Sequence, residues 1–209
     1  MRSVIAVPCA DMMHTDFVRS LIGLRTVGEV NYIFGQGSLI YDARNQLSAM
    51  AVAGGYDRML WLDSDMTFPS DLMEKLYADL DDGRDVVGGL CFTRRPPIKP
   101  AAYARLYNTP NEGGGFTPHA DPIVGWGDEP FEVEAVGFAV VALNVSVCEQ
   151  VQKKYGLPFT PALGYGEDLS FCARARDIGA KIYVDPRIKI GHVGLHTFTE
   201  ADYVRVATS

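Results

Sequence analysis

Two acidic pairs and one histidine have the types and spacing to do chemistry. Trp61-Leu62-Asp63-Ser64-Asp65-Met66 puts two carboxylates one residue apart where an apolar run ends. Oxygen donors of this kind suit a hard divalent cation, with a diphosphate completing its shell. Asp and Ser also form turns readily, so the same residues read as a simple turn. Gly164-Tyr165-Gly166-Glu167-Asp168-Leu169 opens a helical pattern whose apolar side is Phe171, Cys172, Ala175 and Ile178. Acids in a first turn favour the helix dipole. A carboxylate held in a cleft would instead accept the proton of a hydroxyl nucleophile, and the flanking glycines allow a ligand close approach. Gly191-His192-Val193-Gly194 offers a single imidazole, which could add one nitrogen to an oxygen-rich metal site. His192 and His196 have helical ligand spacing, but the two glycines disfavour a helix there. His196, His14 and His119 are set aside as ordinary residues.

The elements that must position these groups follow from periodicity. Ser3–Pro8, Val30–Phe34, Arg58–Leu62 and Asp85–Leu90 are β-branched or apolar runs that predict strands. Helical spacing predicts helices over His14–Arg25 and Leu39–Ala53, the latter closed by Gly54-Gly55. A third helix is predicted after Pro69, with Ser70 as its N-cap and Glu74 near its first turn. This alternation predicts an α/β fold with a largely parallel sheet, in which ligands bind beyond the carboxyl ends of the strands. Asp63 and Asp65 stand at such an end.

The second half is less regular. Ala101–Tyr107 reads as a sheet-edge strand, and Asn108–Asp128 as a long Gly- and Pro-rich segment, functional or mobile rather than structural. Phe131–Leu143 reads as a strand broken at Gly137. Val145–Tyr155 and Glu167–Ile178 read as helices, and Lys181–Val184 and Arg187–Ile190 as two short strands around Pro186. With no repeat or linker, one domain over residues 1–209 is expected, with a nucleotide-type first half (1–90) and a more irregular second half (91–209).

Composition bounds the partners. The 209 residues are 47% hydrophobic and 22% charged, with 26 acids against 19 Lys and Arg, which excludes disordered, collagenous and disulfide-scaffold classes. The net charge of −7 argues against a general nucleic-acid binder while allowing a local basic channel. Cys9, Cys91, Cys148 and Cys172 form no CxxC pair and read as thiols of a reducing cytosol. No apolar run approaches the ~18 residues of a membrane span, and the N-terminus reads as a strand rather than a signal peptide. A soluble, cytoplasmic protein is expected.

Taken in order, Ala43-Arg44-Asn45, RMLWLDSDM, GEDLSFCARARDIG and VDPRIKIGHVG resemble the GT-A nucleotide-sugar-dependent glycosyltransferases, closest to the family-2-like group and to metal-dependent relatives with a closing histidine. The resemblance covers nearly the whole chain. It implies a GT-A fold with a mostly parallel central sheet flanked by helices. It also implies transfer of a sugar from a nucleotide sugar, expected to be UDP-linked, to a hydroxyl acceptor with Mn2+ or Mg2+. By that resemblance Asp65 binds the cation, Asp63 contacts the ribose or a metal-bound water, and His192 is a further metal ligand. Ser64 lies between the two acids on the donor side, Arg44 lies near the base or phosphates, and Val7-Pro8-Cys9 lines the nucleobase pocket. Asp168 is the general base of inverting members, and Glu167 orients it or the acceptor. Inverting and retaining outcomes both stay open. The first strand ends VPCAD where the family has a Thr/Ser-type motif. Arg94-Arg95, followed by Pro96-Pro97 and Lys99, forms a basic loop suited to donor phosphate, to an anionic acceptor or to solvent. The acceptor could be a saccharide, a lipid-linked sugar, a small polar molecule, a protein or a modified DNA base. The competing functions are a nucleotidyltransferase, for which CADMMHTD lacks the usual Gly-rich basic loop, and an inactive sugar-nucleotide binding module.

Overall fold

The computed structural model describes residues 1–37, 39–94 and 97–194. Its first half alternates as the periodicity predicts: β1 (Arg2–Pro8), α1 (Thr15–Ile22), β2 (Glu29–Gly35), α2 (Ile40–Ala53), β3 (Arg58–Leu62), a two-residue β4 (Met66–Thr67), α3 (Leu72–Asp81) and β5 (Val86–Leu90). The second half supplies β6 (Ala102–Pro110), β7 (Phe116–Pro122), β8 (Phe131–Val133), β9 (Ala135–Val136), β10 (Val140–Asn144), α4 (Val145–Tyr155), α5 (Glu167–Asp177), β11 (Ile182–Lys189) and β12 (Gly191–His192).

Seven strands form the main sheet in the order β2-β1-β3-β10-β5-β11-β8. β1, β2, β3, β5 and β11 run one way, while β10 and β8 oppose their neighbours. The sheet is thus mixed, with five of its seven strands in one direction. Period-2 alternation assigns side chains to its two faces. Val4, Ala6 and Trp61 face a core shared with α2, α4 and α5, whereas Ile5, Val7, Leu60 and Leu62 face the core of α1 and α3. An aromatic cluster lies in the first core, where the Phe159 and Phe171 rings stack at 4.5 Å and Trp61 and Phe138 meet them edge-on. Among the described residues no helix is long and apolar enough to cross a membrane.

Several expected elements differ. α3 takes Asp71 as its N-cap, because Arg25 binds both the Ser70 carbonyl (2.9 Å) and the Ser70 hydroxyl (2.9 Å). Asn108–Asp128 is not an irregular segment: β7 lies within it and pairs with β6 from Tyr103–Pro122 to Pro110–Phe116. β6 is then the middle strand of a small sheet ordered β7-β6-β9, not an edge of the main one. Phe131–Leu143 breaks into β8, β9 and β10, which belong to two sheets. The two short strands around Pro186 are one strand, β11, with a register shift between Asp185 and Lys189 that accommodates the proline. Cys9, Cys91, Cys148 and Cys172 are free thiols, Cys9 half-buried and the others buried.

Candidate functional site

β3 delivers Asp63, Ser64 and Asp65 to the carboxyl edge of the sheet. The Asp63 N–H donates to Ala139 O (2.8 Å), and Met66 N–H returns to Asp63 O (3.2 Å), so these residues do form a turn. The turn feeds β4, and β4 pairs antiparallel with β12, setting His192 opposite Met66 and Gly191 opposite Thr67. A side chain at Gly191 would collide with Thr67 Oγ1, so glycine permits this pairing. Val193 N–H donates to Asp65 O at 2.8 Å, extending it.

His192 Nε2 consequently lies 3.4 Å from Asp65 Oδ2. Its Nδ1 lies 3.0 Å from the Phe92 carbonyl. A carbonyl only accepts, so in the neutral ring Nδ1 carries the proton and Nε2 turns a lone pair toward Asp65. Metal-ligating histidines are commonly oriented by such a backbone carbonyl. One carboxylate and one oriented imidazole fit a divalent cation that takes its remaining oxygens from a diphosphate and water. Among the described residues no group of three or more potential ligands gathers.

Asp63, the other carboxylate expected at the donor and its cation, is engaged elsewhere. Arg44, on α2 and only 2% exposed, donates from Nη2 to Asp63 Oδ1 (2.9 Å) and from Nε to Glu167 Oε1 (3.4 Å). Its guanidinium also lies over the Trp61 and Phe138 rings, 5.5 and 5.7 Å from their centroids. A side chain this enclosed meets carboxylates rather than a nucleotide, so Arg44 is an internal counterion. The neighbouring Asn45 is structural too, its Oδ1 accepting the Phe159 N–H at 2.8 Å.

Arg44 thereby ties the two acidic pairs together. Asp168 follows Glu167 in the first turn of α5, where its Oδ1 accepts the Leu169 N–H (2.7 Å). Burial first, then the charge of Glu167, pushes the Asp168 carboxyl up to about 6. Asp63 is also pushed up to about 6, by burial against the opposing pull of Arg44 and with added repulsion from Asp65. Desolvation outweighs the helix terminus and the arginine at both positions.

The proposed nucleobase residues divide. Val7 is fully buried in the α1–α3 core and Pro8 is buried, so neither side chain lines an open pocket; Cys9 is half-buried at the strand end. His119 stacks on Tyr107 and lies 2.8 Å from Thr109 Oγ1, away from any ligand set. Arg95, Pro96 and His196 lie outside the described residues. Sequence reading placed Arg94 in a basic loop without its contact to Asp65, and it missed Tyr103. Arg94 Nη1 donates to Asp65 Oδ2 at 2.5 Å, and Tyr103 lies close enough to Asp168 for its charge to add to the burial that raises the phenol. For Arg94 the available signal was its place just past a strand end.

No protein-family model and no curated protein matches the chain. Among solved structures, A197 from STIV superposes with a TM-score of 0.65 at 18% identity, covering 93% of this chain and 87% of its own. GalNAc-T7, in a crystal structure with UDP, GalNAc and Mn2+, superposes with a TM-score of 0.63 at 14% identity over 99% of this chain. The chain spans 47% of the length of that GalNAc-T7 chain. These likenesses establish the fold as α/β of the GT-A type, a central multi-stranded sheet flanked by helices.

Proposed function

We propose that this protein is a divalent-cation-dependent glycosyltransferase that moves a sugar from a nucleotide-sugar donor, UDP-linked, to a hydroxyl acceptor. The carrying observation is the meeting of Asp65 and His192, distant in sequence and 3.4 Å apart at the carboxyl edge of the sheet. The Asp63–Arg44–Glu167 bridge brings the second acidic pair to the same place. A fold likeness to a protein solved with UDP and Mn2+ supports the choice of donor and cation.

Asp65 and His192 would hold the cation, Mn2+ or Mg2+. When bound, that cation supplies Lewis-acid stabilisation of the charge developing on a departing diphosphate. Phe92 O holds the His192 ring in its liganding tautomer, and Arg44 holds Asp63 and Glu167 in fixed positions. Asp168 accepts the proton of the acceptor hydroxyl. With its carboxyl near 6 it is ionised at neutral pH yet more basic than an ordinary aspartate, as a general base requires. Its Oδ1 is engaged by Leu169 N–H, and its Oδ2 lies beside Gly137, where no Cβ crowds it. Attack assisted from this side, opposite a departing diphosphate, would invert the anomeric centre.

Calorimetry of UDP with and without Mn2+ tests the proposal. Binding at least tenfold tighter with Mn2+ is expected, and the gain should vanish in Asp65→Ala. Equal affinity in both conditions would overturn it. A panel of nucleotide sugars, scored for Mn2+-dependent hydrolysis, then identifies the donor.

A further inference from the structure

The basic loop after β5 turns back onto the strand end. Arg94 Nη1 donates to Asp65 Oδ2 at 2.5 Å and reaches the Val193 carbonyl at 3.4 Å, while its aliphatic stem lies against Gly194. The oxygen it binds is the one 3.4 Å from His192 Nε2. A guanidinium therefore sits where the two candidate metal ligands converge. Unlike Arg44, whose side chain is 3% exposed, Arg94 is 47% exposed, so water can replace its contacts as it moves. Its loop is closed by Thr93 N–H donating to Lys99 O (2.9 Å) and Lys99 N–H donating to Thr93 Oγ1 (3.0 Å). Thr93, Arg94, Pro97, Lys99 and His192 line a cleft of about 500 Å³ beside the same carboxylate.

We propose that Arg94 is the counterion of Asp65 when no divalent cation is bound and, once displaced, a ligand of the donor diphosphate. This rests on the function proposed above. A guanidinium and a divalent cation repel each other and compete for Asp65 Oδ2. A cation arriving alone must therefore evict Arg94 from Asp65 into water, with no anion to receive it. A diphosphate arriving with the cation offers the guanidinium a bidentate anionic partner in the Arg94–Lys99 cleft. Cation and nucleotide thus help each other bind, with Arg94 as the coupling element.

The prediction has opposite signs for two constants. Relative to wild type, Arg94→Ala should bind Mn2+ alone more tightly, roughly tenfold, because the competing cation is gone. The same variant should bind UDP at saturating Mn2+ more weakly, again by roughly tenfold, because a phosphate ligand is gone. Arg94→Gln, which keeps the stem, should follow Arg94→Ala in both. Titration calorimetry on wild type, both variants and Asp65→Ala measures this without turnover. Both constants unchanged, or both weakened together, would overturn this inference alone, provided wild-type binding still depends on Asp65. Absence of Asp65-dependent Mn2+ and UDP binding in wild type would overturn it together with the proposed function.

Discussion

Two groups of carboxylates lie against this sheet, a half-buried one at the strand ends and a buried one between α3 and β11. Asp79 and Asp185, 1% and 0% exposed, make up the second. Burial, followed by the charge of Asp185, pushes the Asp79 carboxyl up, as burial does for Asp63 and Asp168. The surroundings differ. Asp185 accepts from Arg187 Nε (2.8 Å), Nη2 (3.0 Å) and N–H (2.9 Å), and Asp79 pairs with Arg84 (2.9 Å) and Arg187 (3.1 Å). Arg84 and Arg187 also reach the exposed Asp82 (3.0 Å) and Glu129 (3.8 Å), yet each buried acid has a guanidinium in direct contact. At the strand ends Asp63, Asp65, Glu167 and Asp168 share the buried Arg44 and the exposed Arg94, and among the described residues Asp168 has no ion pair. A raised carboxyl is therefore not in itself the mark of a site. A raised carboxyl with no cation in contact, as at Asp168, is the better mark.

The largest expected effect separates the two groups by chemistry. Asp168→Asn should lower sugar transfer by ~10²- to 10⁴-fold, the usual worth of a general base, with UDP affinity in Mn2+ nearly unchanged. Transfer at close to the wild-type rate would leave Asp168 as a helix-terminal residue. Asp185→Asn should act on stability, costing about 2–3 kcal/mol in urea denaturation because two guanidiniums lose their anchor. Transfer per folded molecule should be unchanged; a loss there would make the α3–β11 group part of the catalytic apparatus.

The smallest effect tests what the groups share. Asp63 and Asp168 stand near 6 in the folded chain against an ordinary 3.8, so between about pH 4 and 6 the folded state binds protons the unfolded chain has released. Stability from these groups is full below pH 4 and is lost as pH rises through about 6. Unliganded protein should be more stable at pH 5 than at pH 7.5 by about 1–2 kcal/mol, discounted for partial exposure. Mn2+ with UDP should recover the difference at pH 7.5. A midpoint that rises from pH 5 to 7.5 would show that these acids do not pay a net desolvation cost.

Legibility in the sequence followed locality. Arg58–Leu62 and Val145–Tyr155 match their elements to the residue, because one apolar period and one terminator define each. The acidic pair beyond Leu62 was readable as a strand-end feature for the same reason. Non-local partners leave no period. Nothing in Ala43-Arg44-Asn45 shows that α2 turns its arginine inward to bridge Asp63 and Glu167, and nothing in Gly191-His192 announces a two-residue ladder to Met66-Thr67. The β6–β7 hairpin was hidden by its own turn: Asn111 and Gly113–Gly115 close it through Asn111 Oδ1, a composition that also reads as loop.

The antiparallel strand β10 has a consequence for how the chain is made. β3 and β5 are not neighbours; β10 lies between them and pairs with both. A growing chain that has reached residue 90 would carry β3 with one edge open, its backbone N–H and C=O groups and the apolar Leu60 and Leu62 without their neighbour. Open apolar edges of this kind recruit other strands. The edge closes only when residues 140–144 arrive, so residues 1–90 should be aggregation-prone as a separate fragment and should need the later half as their partner strand during synthesis.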